Sequence, residues 1–460
     1  RKRGYGSDPV PAHSPTMPPR TVAIIGTGSA GMVTALSMKR EFGDDVDIHV
    51  YDQFKSFNMS QGVELTLGPP FQIVMKALGH DVEAVIRESS CESRTTVVRD
   101  SAGNRIPFVE EMLNSADEVV GKTPEGDLVT YPHRQISRGV YMSILQDEFF
   151  KAMGGKDAAS KHLHWDHKLE AVLLEGEGGK KTLRFANGEQ VTGVDLVVGA
   201  DGVHSAVRRA CFDDVPARHV GANIIYGVIP GTPDIHHKDA FNIVAAATFS
   251  LVSSEIIDSE SKRMTWWALV HTDREKHDSP TSSPKAYRTF WESKADVQKL
   301  AHDLVAEEEG DTLPKKFVAL TPEEGFRYAG FFLDRDPTTL KQWGNGEMGA
   351  VCIGDAVHAI QPWAGMGASL AAEDAFLLGK MIAKHGWNKL QDAFDELQAL
   401  QLPRVQFYRQ LTLNNAPQGI ISEELMVPVD TVVEQFGDQR CLEKCPAWNQ
   451  FCAHLRMKSA

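Results

Sequence analysis

The chain lacks an uninterrupted apolar run long enough to span a bilayer, so no membrane span is expected. Cysteine is scarce, six residues in 460, which fits a reducing compartment and argues against a disulfide-stapled scaffold. Cys441, Cys445 and Cys452 cluster near His454, but the paired spacing of a zinc site is missing and no metal is expected. Positive charge is also in short supply. Lys and Arg total 48 against 62 Asp and Glu, for a formal charge of −14, which disfavours nucleic acid and anionic membranes as partners. Internal repeats and long low-complexity tracts are absent. Residues 1–16 are polar and proline-bearing, without a secretory signal's apolar segment. With Met17 read as a natural start, they are expected to form a tail outside the fold, and a cytoplasmic location is expected.

What is present is ordinary globular composition, 42% hydrophobic, enough for a large core in two or three units. Residues 21–25 form a short β-branched apolar run of the kind buried on both faces of a sheet. A glycine-rich turn, a helix-compatible stretch and an alternating strand at 46–51 follow, completing a βαβ unit. In the middle of the chain, Asn187-Gly188 marks a hairpin, and strand-like runs recur at 223–229, 241–252, 264–271 and 326–333. These predict a mainly antiparallel sheet. A helix is expected over 284–309, capped by Ser283 with Pro284 at its first position. From 387 onward the chain reads as helical, with Leu390, Phe394, Leu397 and Leu400 at helical spacing.

Three motifs carry chemistry. Gly26-Thr27-Gly28-Ser29-Ala30-Gly31 is a G-x-G-x-x-G between strand and helix. Gly26 permits the tight turn, Gly28 lets a pyrophosphate approach the backbone, and Gly31 lets helix pack on strand. The helix start adds free N–H groups and a positive dipole end. Asp52, at the end of the second strand, is placed to hold ribose hydroxyls. These residues leave NAD, NADP and FAD open. The second motif, Asp201-Gly202, follows a buried strand and precedes a helix; alone it could also be just a turn with a capping Asp201, the less favoured reading. The third runs from Gly354 and Asp355 through His358 and Pro362 to Gly365, Met366, Gly367 and Ala368. Asp355 is placed to accept bonds from ribityl hydroxyls, and the glycine loop can face a planar ring. An NAD enzyme needs no such second cradle, so FAD is the expected cofactor.

With these motifs in this order, the chain resembles the flavoprotein aromatic hydroxylases, single-component monooxygenases of the para-hydroxybenzoate and salicylate hydroxylase type. The match runs from about Thr21 to the helix after Gly367. The resemblance implies an α/β fold: a discontinuous Rossmann-like FAD-binding domain (17–90, 131–214, 344–386), an inserted mainly antiparallel substrate domain (91–130, 215–343) and a C-terminal helical region (387–460). It implies Arg138 as a cofactor contact and Asp201 as serving both FAD and NAD(P)H. It also implies hydroxylation of a small aromatic or heteroaromatic substrate with NADPH or NADH and O₂, through a flavin C4a-hydroperoxide. Pro362 and the Gly365–Gly367 loop would wall the oxygen-transfer side. His358 is weighed equally as catalytic and as structural. Tyr226, His271 and Tyr328 are candidate bases on the predicted sheet, and only one of Trp266 and Trp267 can face the pocket. The chain departs from the family at 58–65, where Gly62 is kept as a flavin-edge contact but an Arg and a second Gly are missing. Epoxidising or Baeyer–Villiger variants, an oxidase or reductase, and an FAD-binding redox sensor remain alternatives; a halogenase does not fit. A monomer or homodimer is expected.

Overall fold

The computed structural model describes residues 18–56, 64–107, 119–122, 128–130, 133–175, 179–212, 215–246, 249–272 and 294–414. The expected N-terminal tail, Gly62, the start of the helix expected at 284 and the region after 414 lie outside the described residues.

The strand Arg20–Ile25 lies inside a six-stranded sheet. The order is Gly344–Asn345, Ala350–Cys352, Leu196–Gly199, Arg20–Ile25, Val46–Tyr51 and Leu163–His164. All neighbours pair in parallel except the short strand Gly344–Asn345. The apolar runs are explained by burial on both faces. Val22 and Ile24 join a core built with the helices Ser29–Phe42, Arg138–Ala152 and Gly367–His385. Ala23, Ile25 and Val197 join a second core on the opposite face, closed by Leu169, Leu183 and Phe185 of a three-stranded antiparallel sheet. The Asn187-Gly188 turn is part of that sheet, with Gly188 at φ 89°.

The other six-stranded sheet is mainly antiparallel, in the order Arg327–Asp334, Arg218–Pro230, Arg263–Thr272, Phe249–Ile257, Ala240–Ala245 and Thr95–Asp100. Its last strand pairs in parallel. The helices Lys294–Ala306 and Leu313–Leu320 cover one face, where Trp267 and Leu269 pack with Phe317 and Phe326. The alternating residues Trp266, Ala268 and Val270 lie with Tyr226 on the other face.

Two expectations change. The run at 241–252 is a hairpin of two strands, Ala240–Ala245 and Phe249–Ile257. Its connection carries alanines and Thr248 rather than turn-forming Gly, Asn or Pro, so no local punctuation marks it. Cys91–Ser93, read as opening the substrate domain, pairs instead with His133–Ser137 in a small sheet that also holds Glu64–Leu67. The helix Leu390–Asn414 packs Phe394 and Leu397 into the first core, and Arg404 reaches the buried Glu373 with Nε and Nη2 contacts of 2.6 and 2.9 Å. Among the described residues, no helix is long and apolar enough to cross a membrane.

Candidate cofactor and active site

The first loop is fixed by sterics. Gly26 has φ 107°, and a Cβ there would lie 2.3 Å from the Ala200 carbonyl oxygen. A Cβ on Gly31 would lie 1.9 Å from the Gly26 oxygen, so the helix can seat only because Gly31 has no side chain. Gly28 differs: nothing lies within 4 Å of its Cβ position. Its φ of −66° suits any residue, so its bareness keeps space open in front of the loop. The helix Ser29–Phe42 starts at Gly28 without a side-chain cap, leaving first-turn N–H groups for a ligand. Ser29 Oγ is 2.9 Å from the Tyr141 hydroxyl, so its side chain is already engaged within the protein.

A second cradle faces the first. Gly354, at φ 58°, would place a Cβ 3.2 Å from the Cβ atoms of both Ala30 and Ala371. The two helix starts therefore converge on this one turn. Asp355, next in sequence, is exposed. Protein around its carboxyl nevertheless desolvates it, which, with Asp374 nearby, raises its pKa against the opposing pull of His358. The Pro362–Ala364 turn ends at Gly365 in the left-handed region, φ 63°. The helix Gly367–His385 then begins, again without a side-chain cap. Gly367 repeats the Gly28 pattern, with open space at its Cβ position, and Ala368 is half-buried beside it. Met366 turns its side chain into the core.

The acidic residues divide in role. Asp52 Oδ2 accepts from the Thr27 N–H at 2.8 Å and from the Thr27 hydroxyl at 2.6 Å, while Oδ1 accepts from the Phe54 N–H. It braces the glycine loop. Asp201 Oδ2 accepts from the Ala206 and Val207 N–H groups, so it caps the following helix. Burial raises its pKa against those bonds. Arg138 opens the helix Arg138–Ala152, where a cation meets the positive dipole end and gains from an anionic partner. Desolvation lowers its pKa, and Tyr226 and Asp52 are among the groups whose charge acts on it.

The catalytic candidates separate. Tyr226 is buried, and Trp363, from the Pro362 turn, packs against its apolar cluster together with Trp266. That cluster also holds Leu413 of the helix Leu390–Asn414, so the exposed Pro362 turn packs where this helix meets the antiparallel sheet. His271 does not share that wall. It has the strand parity of Trp267 and Leu269 and pairs across from Phe249, on the helix-covered face. Only the backbone of Tyr328 lies among the described residues. His358 is in the core, 1% exposed, with Nε2 2.6 Å from Asp374 Oδ2.

Sequence reasoning passed over Asp374, Thr27 and Glu64. Asp374 could have been suspected, because Glu373-Asp374 interrupts an apolar helix and buried acids require partners. Glu64 lies on the strand Glu64–Leu67. Thr66, on the same face, lies 3.1 Å from the Cβ position of Gly365. Burial pushes the Glu64 carboxyl up to about 7, although a Thr66 hydrogen bond pulls the other way.

These residues fit FAD. The open space before Gly28 at the first uncapped helix start would hold the pyrophosphate, that before Gly367 at the second would hold the isoalloxazine, and the exposed Asp355 would hold the ribityl chain. The FAD binding domain family matches residues 110–393. Zeaxanthin epoxidase of Nicotiana plumbaginifolia is 28% identical over 374 residues, 79% of this chain and 48% of that protein. Monooxygenase cfoF of Aspergillus candidus is 24% identical over 406 residues, 84% of this chain and 88% of that protein. The chain spans about half the length of the zeaxanthin epoxidases from Nicotiana and Solanum that it matches. Among solved structures, Klebsiella pneumoniae HpxO with FAD and uric acid has a TM-score of 0.64 at 17% identity, covering 94% of this chain and 96% of that one. The 2,6-dihydroxypyridine-3-hydroxylase of Arthrobacter nicotinovorans has a TM-score of 0.63 at 15% identity, covering 87% of this chain and 93% of that one. The chain belongs to the FAD binding domain family, and its cofactor is FAD.

Proposed function

We propose that this chain is a monooxygenase that uses NAD(P)H and O₂ to place one oxygen atom on a small aromatic or heteroaromatic substrate. The observation that carries the reading is the packing of Trp363, beside the Pro362–Gly367 loop, against the apolar cluster that holds Tyr226, Trp266 and Leu413. Bound FAD would supply hydride acceptance and O₂ activation. The chain's own groups then have definable tasks. The N–H groups at the start of Gly367–His385 orient the ring and favour negative charge on it. Asp355 holds the ribityl hydroxyls, and Asp374, through Gly354, holds Asp355 in place. Trp363 and Trp266 exclude water from the reacting face. Tyr226 is held above its ordinary pKa by desolvation, against Arg327 and Arg138. It is therefore a neutral hydroxyl at physiological pH, suited to orient a substrate oxygen rather than to act as a base.

Epoxidation is a second reading, favoured by the similarity to zeaxanthin epoxidase. The test is NAD(P)H oxidation under ¹⁸O₂ with a panel of phenols, hydroxypyridines and cyclic alkenes. One labelled oxygen in product supports the proposal, and the substrate that carries it separates hydroxylation from epoxidation. Substrate-stimulated oxidation without label would move the chain to the oxidases or reductases, and no stimulation across the panel would favour a redox-sensing role.

A further inference from the structure

We propose that Asp47, His49 and His162 form a binding site for a divalent transition cation of the Zn²⁺ class, on the edge of the parallel sheet away from the flavin cradle. The strand Val46–Tyr51 places Asp47, His49 and Tyr51 on one face, and Leu163–His164 pairs beside it. That pairing brings His162 and His164 to the same face. The ligand atoms of Asp47, His49 and His162 all lie within 4.8 Å of one another. His49 Nε2 is 3.1 Å from Asp47 Oδ2, and His162 Nδ1 is 3.5 Å from Asp47 Oδ1. Donors that share an ion at about 2.0–2.2 Å stand roughly 3 to 3.5 Å apart, so these spacings need little adjustment. His162 Nδ1 is also 2.9 Å from the Ile48 carbonyl oxygen. A cation that replaces the proton on Nδ1 would meet that oxygen as well.

The surroundings resemble those of metal-bound imidazoles. His49 uses Nε2 toward Asp47, and its other nitrogen, Nδ1, lies 3.0 Å from His164 Nε2. Such a second partner fixes the ring and its tautomer. His164 is held in turn by its stack on Tyr51, with centroids 4.6 Å apart. All three proposed ligands are half-buried, so solvent can complete the coordination sphere. Imidazole nitrogen with carboxylate oxygen suits Zn²⁺ and its neighbours rather than Ca²⁺ or Mg²⁺. The donors come from two segments far apart in sequence, so no spacing motif announces them. An ion here would staple Leu163–His164 to Val46–Tyr51. Val46–Tyr51 runs into Asp52, whose N–H donates to the His164 carbonyl oxygen, so the staple would steady the acid that braces the glycine loop.

The experiment is calorimetric titration of Zn²⁺ into the flavin-loaded full chain, with electron paramagnetic resonance on one equivalent of Cu²⁺. The expected result is one Zn²⁺ site per chain, weakened roughly tenfold or more in His49→Gln and in His162→Gln, with two imidazole nitrogens coupled to Cu²⁺. His164→Phe should weaken it less. The Cys441→Ser/Cys445→Ser protein should bind as the wild type does, and Zn²⁺ should raise the thermal midpoint of the wild type but not of His162→Gln. Absence of binding would overturn the proposal. So would binding that survives both histidine substitutions, or that disappears with the two cysteines.

Discussion

His358 Nε2 stands 2.6 Å from Asp374 Oδ2, and the same oxygen accepts the Gly354 N–H at 2.8 Å. Both side chains are sealed, with 1% and 0% exposed. One carboxylate oxygen thus links a buried imidazole to the turn that presents Asp355. Desolvation works against the imidazolium, but the charge and hydrogen bond of Asp374 outweigh it and raise His358 above its ordinary 6.5. We therefore read His358 as a positioning residue behind the turn that presents Asp355 rather than as a catalytic one.

Asp374→Ala should both lower stability and release flavin. It leaves the His358 charge without its partner and orphans the Gly354 N–H, a loss of about 3–5 kcal/mol. Urea unfolding and the flavin-to-protein absorbance ratio measure the two effects. Because the folded pKa of His358 is raised, its contribution is fully present below pH 6.5 and is lost as pH rises through the raised value. The wild type should lose stability over that window and the variant should not. Equal slopes would show that the pair carries no such role.

The glycines offer a paired comparison. Gly31→Ala drives a methyl group to 1.9 Å from the Gly26 oxygen and should cost about 1–3 kcal/mol or more in the apoprotein. Gly28→Ala meets nothing within 4 Å and should cost about 1 kcal/mol or less, yet its methyl enters the space a pyrophosphate needs. Thermal midpoints of the flavin-free proteins should separate the two substitutions, while FAD affinity should fall for both. Full FAD affinity in Gly28→Ala would remove the cradle from this loop.

Steric rules and buried polar partnerships differ in how far they show in a sequence. Gly26, Gly31 and Gly354 are legible because only a residue without Cβ fits against Ala200, Gly26, Ala30 and Ala371. The parallel strands are legible because burial on both faces leaves continuous apolar runs. The face on which His271 falls was not, since alternation fixes parity within a strand but not which side is covered by helices. The Ala245–Phe249 connection was hidden by its lack of turn residues. Asp374 was hidden by distance: its partner His358 is 16 residues away, across a turn and a helix start.

Tyr226→Phe tests the substrate wall. The ring stays in its cluster with Trp266 and Trp363, so folding and flavin content should be unchanged. Loss of one neutral hydrogen bond to substrate corresponds to about 0.5–1.5 kcal/mol, up to roughly a tenfold fall in kcat/KM. Because Tyr226 sits above its ordinary 10.0, no limb of the pH profile near neutrality should belong to it, and the variant profile should keep the wild-type shape. A neutral limb that vanishes in Tyr226→Phe would make the tyrosine a base instead.

Glu64 should be a titrating group near neutrality beside the Gly365 loop. The Thr66 hydroxyl is 3.0 Å from Glu64 Oε1 and 2.9 Å from Gln135 Oε1, but it has one proton to give. Both contacts are satisfied together when Glu64 brings a proton of its own. Burial favours the same neutral form and pushes the carboxyl from 4.5 to about 7. The native state then keeps a proton that the unfolded chain releases, so wild-type stability should fall as pH rises from 4.5 to about 7. Glu64→Gln keeps the shape, supplies a permanent donor and should flatten that slope when unfolding is measured across the window. In turnover, a limb near 7 in the wild-type kcat/KM profile should be absent from Glu64→Gln. A variant whose stability still falls with the wild-type slope would place the titrating group elsewhere.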